Sequence, residues 1–232
     1  DDPRFEHYPT PSHVIDGLID FVNLEKGQYV LEPSAGEGYI ADAIRARFGK
    51  TVQIKCVEFD RDLALVLRLK GYDVYHGKFE DYARFHAKTG KKRFDAVVMN
   101  PPFSGGLDRA HVTLAYADML KAGGRLAAIT SANSIDGGEA EAYEFKDFIE
   151  QNGDYRLMTP EDYMRGRVLA NGRAITINIA VMHLTRNDKQ KSAEDIANAE
   201  TRFAIEGDWT YNTANGQLYK VTGESGDAVT LT

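Results

Sequence analysis

Apolar residues along most of the chain fall into short continuous runs that alternate with amphipathic stripes. Runs of this kind, bounded by glycine or polar residues, are typical of strands buried on both faces of a parallel sheet. They predict five strands, at residues 28–32, 52–59, 72–77, 94–99 and 125–130. Two further strands are predicted around residues 155–158 and across the alternating segment 174–184.

Between these runs, apolar residues recur every three or four positions, which predicts helices. The first helix is expected to begin at Thr10, whose hydroxyl can cap it, and to continue to Val22. The remaining helices are predicted at residues 39–48, 61–70, 107–122 and 141–152. Strands that alternate with helices imply an α/β fold, here a Rossmann-like, doubly wound, mostly parallel sheet of seven strands with helices on both faces.

The pattern changes after residue 186. Residues 187–201 are polar and lack a clear apolar face, and the remainder predicts short strands separated by Asn-Gly and Gly-Asp turns. We therefore expect one domain over residues 1–186, followed by a polar linker and a small β-rich extension over residues 187–232. The extension is either an appendage or the truncated start of another domain.

The composition of the chain excludes several classes of protein. The 232 residues carry a formal net charge of −7, which excludes a basic nucleic-acid coat, so that any contact with nucleic acid needs a local basic patch. Cys56 is the only cysteine, which rules out an internal disulfide and suits a reducing compartment. No metal-ligand spacing, membrane-length apolar run or signal peptide is present. We expect a cytoplasmic protein without a metal or a membrane partner.

A glycine-rich turn, "VLEPSAGEG", follows the first predicted strand. Its small residues let the backbone approach a ligand closely, and the next helix presents free N–H groups there. Two acidic residues, Glu32 and Glu37, favour a cationic or hydroxyl-bearing ligand over a phosphate. The alternative is a glycine turn selected only for tight packing.

Glu58 ends the second strand, about twenty residues after this turn. A carboxylate at that position can accept hydrogen bonds from both hydroxyls of a ribose, and Phe59 beside it can pack against a base. Alone, Glu58 is equally typical of a solvated strand end. Together with the glycine-rich turn, it favours a nucleoside ligand.

The fourth strand ends in "NPPF", residues Asn100 to Phe103. With this motif the sequence resembles the S-adenosylmethionine-dependent amino-methyltransferases, particularly the N6-adenine DNA methyltransferases, over roughly residues 8–184. "YPTP", "EPSAGEG" and "VEFD" resemble the other motifs of that family. The resemblance implies S-adenosylmethionine as cofactor, DNA as partner and N6 of adenine as methyl acceptor.

Residue roles follow from the same resemblance. It implies catalytic roles for Asn100, Pro101, Pro102 and Phe103. It implies cofactor contacts for Tyr8, Thr10, Glu32, Pro33, Ser34, Ala35, Gly36, Gly38, Glu58, Phe59, Phe79 and Asn100. The Asn100 side-chain oxygen and the Pro101 carbonyl would accept the two N–H bonds of the target amine, while Phe103 would stack on an extracted base. An ordinary Pro-Pro turn that buries Phe103 in the core is the structural alternative.

One position departs from the family pattern. Many relatives carry an acid after the third strand, where this sequence has Lys78, so that Glu80, Asp81 or backbone groups would have to receive the cofactor adenine. For the substrate, Arg165, Arg167 and Arg173 are candidates for phosphate contacts, although each is also typical of a solvated loop.

Alternatives to DNA remain. The same amine chemistry would serve RNA adenine or a protein glutamine, and a non-catalytic module with this fold could bind nucleic acid or a partner. The intact NPPF motif disfavours a decayed active site.

Overall fold

The protein is described here by a computed structural model, which covers residues 10–89, 93–164, 178–187, 209–212 and 217–220. Seven strands form one sheet in the order β3-β2-β1-β4-β5-β7-β6. Strands β1 to β5 pair in parallel, and β7 runs antiparallel to both neighbours. The bounds are β1 Tyr29–Glu32, β2 Gln53–Glu58, β3 Asp73–His76, β4 Phe94–Met99, β5 Leu120–Ser131, β6 Gly153–Met158 and β7 Ile179–Thr185. The mostly parallel seven-stranded sheet predicted from the sequence is confirmed.

Eight α-helices lie within the described residues. They are α1 Ser12–Val22, α2 Tyr39–Phe48, α3 Arg61–Leu69, α4 Phe79–Thr89, α5 Leu107–Leu114, α6 Asn133–Asp136, α7 Ala140–Asn152 and α8 Pro160–Met164. The helix α3 begins where the Asp60 carboxylate accepts hydrogen bonds from the N–H groups of Asp62 and Leu63, at 2.8 and 3.1 Å. None of the helices in this part of the chain is both long and apolar enough to cross a membrane.

The core lies on both faces of the sheet, because successive strand residues point to opposite sides. In β4, Ala96 and Val98 belong to the core cluster that includes residues of α1 and α2, whereas Val97 and Met99 belong to the cluster that includes residues of α5 and α7. Every residue of β4 is buried, as its apolar run predicted. Cys56 is also fully buried, where burial raises the pKa of its thiol.

Two local predictions were wrong. Thr10 does not cap α1: Pro11 occupies the cap position, and its carbonyl accepts from Val14 and Ile15. The helix predicted to continue to residue 122 ends at Leu114 and passes into a π-helix, Ala115–Met119, because β5 begins at Leu120 and pairs with Phe94. The helices α4, α6 and α8 were not predicted from the sequence.

The chain divides into two compact units, Asp1–Asn187 and Asp188–Thr232. In the second unit, β8 (Trp209–Asn212) and β9 (Gln217–Lys220) pair as antiparallel strands. The first unit contains the whole seven-stranded sheet.

Candidate active site

A cavity of about 520 Å³ opens at the carboxyl ends of β1 to β4. This is the edge at which open parallel sheets bind their ligands. Most of the residues predicted from the sequence line it. They are Thr10, Glu32, Pro33, Ser34, Ala35, Gly36, Glu58, Phe59, Phe79, Asn100, Pro101, Pro102 and Phe103. The topology thus brings four separate motifs into one space.

The other predicted residues are placed differently. Gly38 does not line the cavity: it precedes α2 with φ +86°, and a Cβ built on it would lie 2.6 Å from the Leu67 side chain. The close packing of Leu67 in α3 against this position therefore explains why residue 38 is a glycine. Tyr8, Arg165, Arg167 and Arg173 lie outside the described residues, and their roles stay predictions.

The cavity is also lined by residues that were not assigned as cofactor contacts, although the sequence had already offered Glu80 as a candidate acceptor. Neighbours of the predicted turns complete its near side, namely Glu37, Tyr39, Ile40, Asp60, Leu63, Gly77, Lys78 and Glu80. The far side is formed by Leu107, His111, Tyr163 and Ile179. Tyr163 and Ile179 come from α8 and β7, and no local motif marks either position.

The glycine-rich turn is held by Glu58. The backbone N–H of Gly36 donates to Glu58 Oε2 at 2.6 Å, and that of Asp60 donates to Oε1 at 2.7 Å. Gly36 has φ +54°, a conformation that favours glycine. Each carboxylate oxygen can still accept a second hydrogen bond. Glu58 therefore fixes the turn and can also accept two hydroxyl groups from the cavity.

A second contact holds the turn from outside. Lys70 Nζ donates to the Glu37 carbonyl at 2.6 Å and to Asp42 Oδ2 at 2.7 Å. The Tyr72 hydroxyl donates to the other Asp42 oxygen at 2.6 Å. Hydrogen bonds from Lys70, directly after α3, to the turn and to Asp42 in α2 therefore hold the turn in place without a ligand.

Glu32 carries the most desolvated carboxyl group in the cavity wall. The side chain is buried, and Oε2 has no hydrogen-bond partner. Burial raises the pKa of this carboxyl well above its usual range, a hydrogen bond from the Ala41 backbone opposes the rise, and the charges of Asp42 and Glu58 add to it. A positive charge brought into the cavity would favour the ionised form.

After β3 the chain carries Lys78 where the resemblance predicted an acid, and both Lys78 and Glu80 line the cavity. Lys78 Nζ lies over the Phe59 ring, 6.0 Å from its centroid. Glu80 lines the cavity 3.2 Å from His111 Nε2, whereas Asp81 pairs with Arg84 and does not line it. Burial alone would raise the Glu80 pKa, but the bonds from its own backbone and His111 outweigh this and lower it. Glu80 is therefore an ionised acceptor.

Asn100 follows the fully buried β4 and reaches across to the segment before α1. Its Nδ2 donates to Thr10 Oγ1 at 3.0 Å. Because the amide nitrogen is committed to Thr10, Oδ1 remains as an acceptor in the cavity wall. Phe103 is half-buried and packs against the core cluster that contains Tyr163 and Ile179. Within the described residues, no three His, Cys, Asp or Glu side chains group closely enough to hold a metal ion.

Comparison with known proteins bears on the fold. No protein-family model matches the sequence, and no curated protein matches it. Solved structures are similar, however. An O-methyltransferase from Bacillus cereus in complex with S-adenosylhomocysteine has a TM-score of 0.55 at 12% identity, covering 78% of this chain and 84% of that one. A S-adenosylmethionine-dependent O-methyltransferase from Thermotoga maritima has a TM-score of 0.52 at 15% identity, covering 82% and 70%.

A Listeria monocytogenes protein assigned to the class I S-adenosylmethionine-dependent methyltransferases has a TM-score of 0.54 at 15% identity. The match covers 80% of this chain and 63% of the Listeria protein's length. The chain has the class I methyltransferase fold. At such identities the likeness concerns the methyltransferase fold alone.

Proposed function

We propose that this protein transfers the methyl group of S-adenosylmethionine to an amine held by Asn100, and that the amine is N6 of adenine in DNA. The observation that carries the proposal is the Asn100 amide. Its nitrogen donates to Thr10 at 3.0 Å, which leaves its oxygen as an acceptor in the cavity that Glu58 also lines. The same cavity is therefore lined by an acceptor suited to an amine, Asn100 Oδ1, and by two acceptors suited to ribose hydroxyls, the carboxylate oxygens of Glu58.

The cavity residues fit the cofactor. A volume of about 520 Å³ lies within the range of about 300–1,000 Å³ usual for small-molecule sites. Glu58 would accept hydrogen bonds from the ribose hydroxyls. Glu80 would accept a hydrogen bond from the adenine amine, a role that the resemblance gives to an acid at the position of Lys78. Glu32, whose Oε2 lacks a partner, would face the positively charged methionine part. Phe59 and Phe79 would pack against the adenine ring.

The target amine sets the chemical problem. The lone pair of an exocyclic adenine amine is delocalised into the ring, which makes the nitrogen a poor nucleophile. Hydrogen bonds to Asn100 Oδ1 and the Pro101 carbonyl favour a pyramidal nitrogen with its lone pair directed outward. When bound, S-adenosylmethionine supplies an electrophilic methyl on a sulfonium. The protein contributes orientation and fixed dipoles, and no general base is required before attack because the nitrogen becomes acidic as it gains the methyl.

Stacking supports a nucleobase as target. Phe103 lines the cavity directly after the two prolines, and base–aromatic stacking is worth about 1–3 kcal/mol per base. That contribution would offset part of the cost of extracting a base from a duplex. Because the chain has a net charge of −7, binding to phosphates requires a local basic patch. We propose that Arg165, Arg167 and Arg173 form this patch.

The test measures transfer from methyl-labelled S-adenosylmethionine to DNA, RNA and protein in parallel, with Asn100→Ala as the matched control. We expect label in DNA, recovered as N6-methyladenine after digestion, and little label with the variant. Label recovered only in RNA or only in protein glutamine would contradict the DNA assignment. A wild-type protein that binds the cofactor yet labels none of the three would contradict the transferase assignment.

A further inference from the structure

The imidazole of His111 contacts two residues that are proposed to receive the adenine of the cofactor. Its Nε2 lies 3.2 Å from Glu80 Oε1, within hydrogen-bond distance. Its ring packs edge-on against Phe79, with the ring centroids 5.3 Å apart and an interplanar angle of 76°. Phe79 and Glu80 begin α4, whereas His111 lies in α5, and all three line the cavity. One side chain from a separate helix therefore contacts both an acceptor and an aromatic ring of the same wall.

His111 is held more firmly than Glu80. The two side chains are 8% and 41% exposed, respectively. The helix α5 is anchored one turn before His111 by Asp108, whose carboxylate is fully buried. Asp108 Oδ2 accepts from the Ser134 hydroxyl at 2.6 Å and from the Ser131 N–H at 3.1 Å. Because a half-exposed glutamate samples several rotamers in water, a donor fixed on α5 can select one of them.

The proton of this contact belongs to His111. Glu80 is ionised at neutral pH, and a carboxylate can only accept hydrogen bonds. Nε2 therefore carries a ring proton and donates it to Oε1. Nδ1 is buried and has no hydrogen-bond partner within the part of the chain that the structure describes, which fits the tautomer with the proton on Nε2. Since a carboxylate has about four lone-pair sites, Glu80 can still accept from a ligand.

We propose that His111 is a positioning residue for the base of the cofactor: by fixing the Glu80 carboxylate, it makes the site select a purine that carries a 6-amino group. The inference rests on the proposed function, which gives the adenine amine to Glu80. An amine completes the hydrogen bonding of a carboxylate that is already held in place, whereas a base without the amine leaves that acceptor unpaired. A glutamate free to rotate would turn to water and distinguish the two bases poorly.

The test compares two ligands that differ in one group: S-adenosylhomocysteine and its 6-deamino analogue, in which hydrogen replaces the amine. We expect calorimetry to show that the wild type binds S-adenosylhomocysteine more tightly, by about tenfold or more. His111→Phe keeps an aromatic ring beside Phe79 but removes the donor, and should reduce this preference to about threefold or less. The loss should fall on S-adenosylhomocysteine, while the affinity for the deamino analogue changes by less than about twofold. His111→Gln, whose amide N–H can donate to Glu80, should recover most of the preference.

Two further variants control for indirect effects. His86→Phe is the matched control, since His86 is a buried histidine of α4 that does not line the cavity, and it should keep the wild-type preference. Glu80→Leu removes the acceptor and should abolish the preference. Adding His111→Phe to Glu80→Leu should then change the ratio of the two affinities no further, because both residues act in one interaction. Urea unfolding shows whether each variant is folded.

The ratio of the two affinities separates a positioning role from a structural one. A folded His111→Phe protein that keeps the full preference would overturn the proposal. So would an equal loss of affinity for both ligands, which is the result expected if His111 only supports the cavity wall. Should His111→Phe fail to fold, His111→Asn, whose shorter side chain does not reach Glu80, takes its place with the same expectation.

The proposed function is tested separately by methyl transfer to DNA. A wild type that labels no amine but prefers S-adenosylhomocysteine would contradict the methylation, while the ratios still decide the role of His111. A wild type that binds both ligands equally would overturn the role of His111 even in an active enzyme.

Discussion

The backbone N–H of Gly36 donates to the Glu58 carboxylate at 2.6 Å, across the gap between the first two strands. The same carboxylate accepts from Asp60 at 2.7 Å. Glu58 is thus part of the protein's internal bonding before it meets a ligand. Its substitution should affect both the shape of the glycine-rich turn and the affinity for a ribose.

We expect Glu58→Gln to weaken cofactor binding by about 1.5–3 kcal/mol, because a charge-assisted acceptor is lost and one of two backbone donors meets an NH₂ group. Calorimetry with S-adenosylhomocysteine measures the affinity, and urea unfolding measures the stability. Glu150→Gln, on the exposed face of α7, is the control for the charge change and should leave both values unchanged. Unaltered affinity in a folded Glu58→Gln protein would remove Glu58 from the ligand site.

The two glycines of the turn should behave differently. Gly38→Ala combines φ +86° with a Cβ 2.6 Å from Leu67, and should cost about 2–4 kcal/mol of stability. Gly36→Ala, at φ +54° on the cavity wall, should cost about 1–2 kcal/mol of stability and also weaken cofactor binding. Unfolding and binding are measured on each variant. The double variant Gly38→Ala/Leu67→Ala should lose less than the sum of its single losses; strict additivity would exclude the predicted clash.

Asn100→Ala and Phe103→Ala separate chemistry from base binding. Asn100→Ala should keep cofactor affinity and lose most methyl transfer, because its bond to the amine strengthens as the nitrogen pyramidalises. Phe103→Ala should weaken engagement of the extracted base by about 1–3 kcal/mol and slow turnover with it. DNA with 2-aminopurine at the target position reports the unstacking by fluorescence. Full activity in Asn100→Ala would refute the amine-holding mechanism, and an unchanged fluorescence signal in Phe103→Ala would refute stacking.

The burial of Glu32 predicts that the stability of the folded protein depends on pH. Because burial raises its pKa above the value in the unfolded chain, folding favours the protonated form. The stabilising contribution of that form is complete below the unfolded pKa of about 4.3 and is lost as the pH rises through the folded pKa. Glu32→Gln mimics the protonated carboxyl, so without cofactor its stability advantage over the wild type should grow with pH. Urea unfolding from acidic to alkaline pH measures the difference, and a constant difference would argue against a protonated Glu32.

Cofactor binding should favour the wild type over Glu32→Gln, the reverse of the order expected for stability without cofactor. A sulfonium or ammonium group beside Glu32 favours the carboxylate, so the wild type should bind S-adenosylmethionine more tightly than Glu32→Gln, with the gap widening as pH rises. Calorimetry at several pH values is the measurement. Glu150→Gln should follow the wild type throughout, whereas Glu32→Gln affinity equal to that of the wild type would place the positive charge elsewhere.

Much of the sheet could be predicted because its signal is local. The run from Phe94 to Met99 is apolar at every position but Asp95 and became a strand with the predicted bounds. The helix Tyr39–Phe48 likewise agrees with its apolar spacing. The cavity edge followed from a general rule, since parallel strands of an α/β sheet end together.

Tertiary contacts account for what the sequence did not reveal. The end of α5 at Leu114 depends on where β5 pairs with Phe94, which no local pattern encodes. Glu80 and Asp81 are adjacent and chemically alike, and only the packing of α4 turns Glu80 to the cavity. Tyr163 lies in a short helix without a local motif, and only the tertiary fold shows that it lines the cavity.

The reversed direction of β7 has a consequence for how such a protein could change its target. Because β7 runs against its neighbours, its first residue, Ile179, stands at the cavity edge, where β1 to β5 end. The end of β7, Thr185, pairs instead with Arg125 at the opposite edge of the sheet. A substitution at position 179 therefore changes the shape and polarity of the cavity wall, whereas the pairing of all seven strands is kept by backbone hydrogen bonds. The start of this one strand is a place where the fit of a target can be altered without rebuilding the fold.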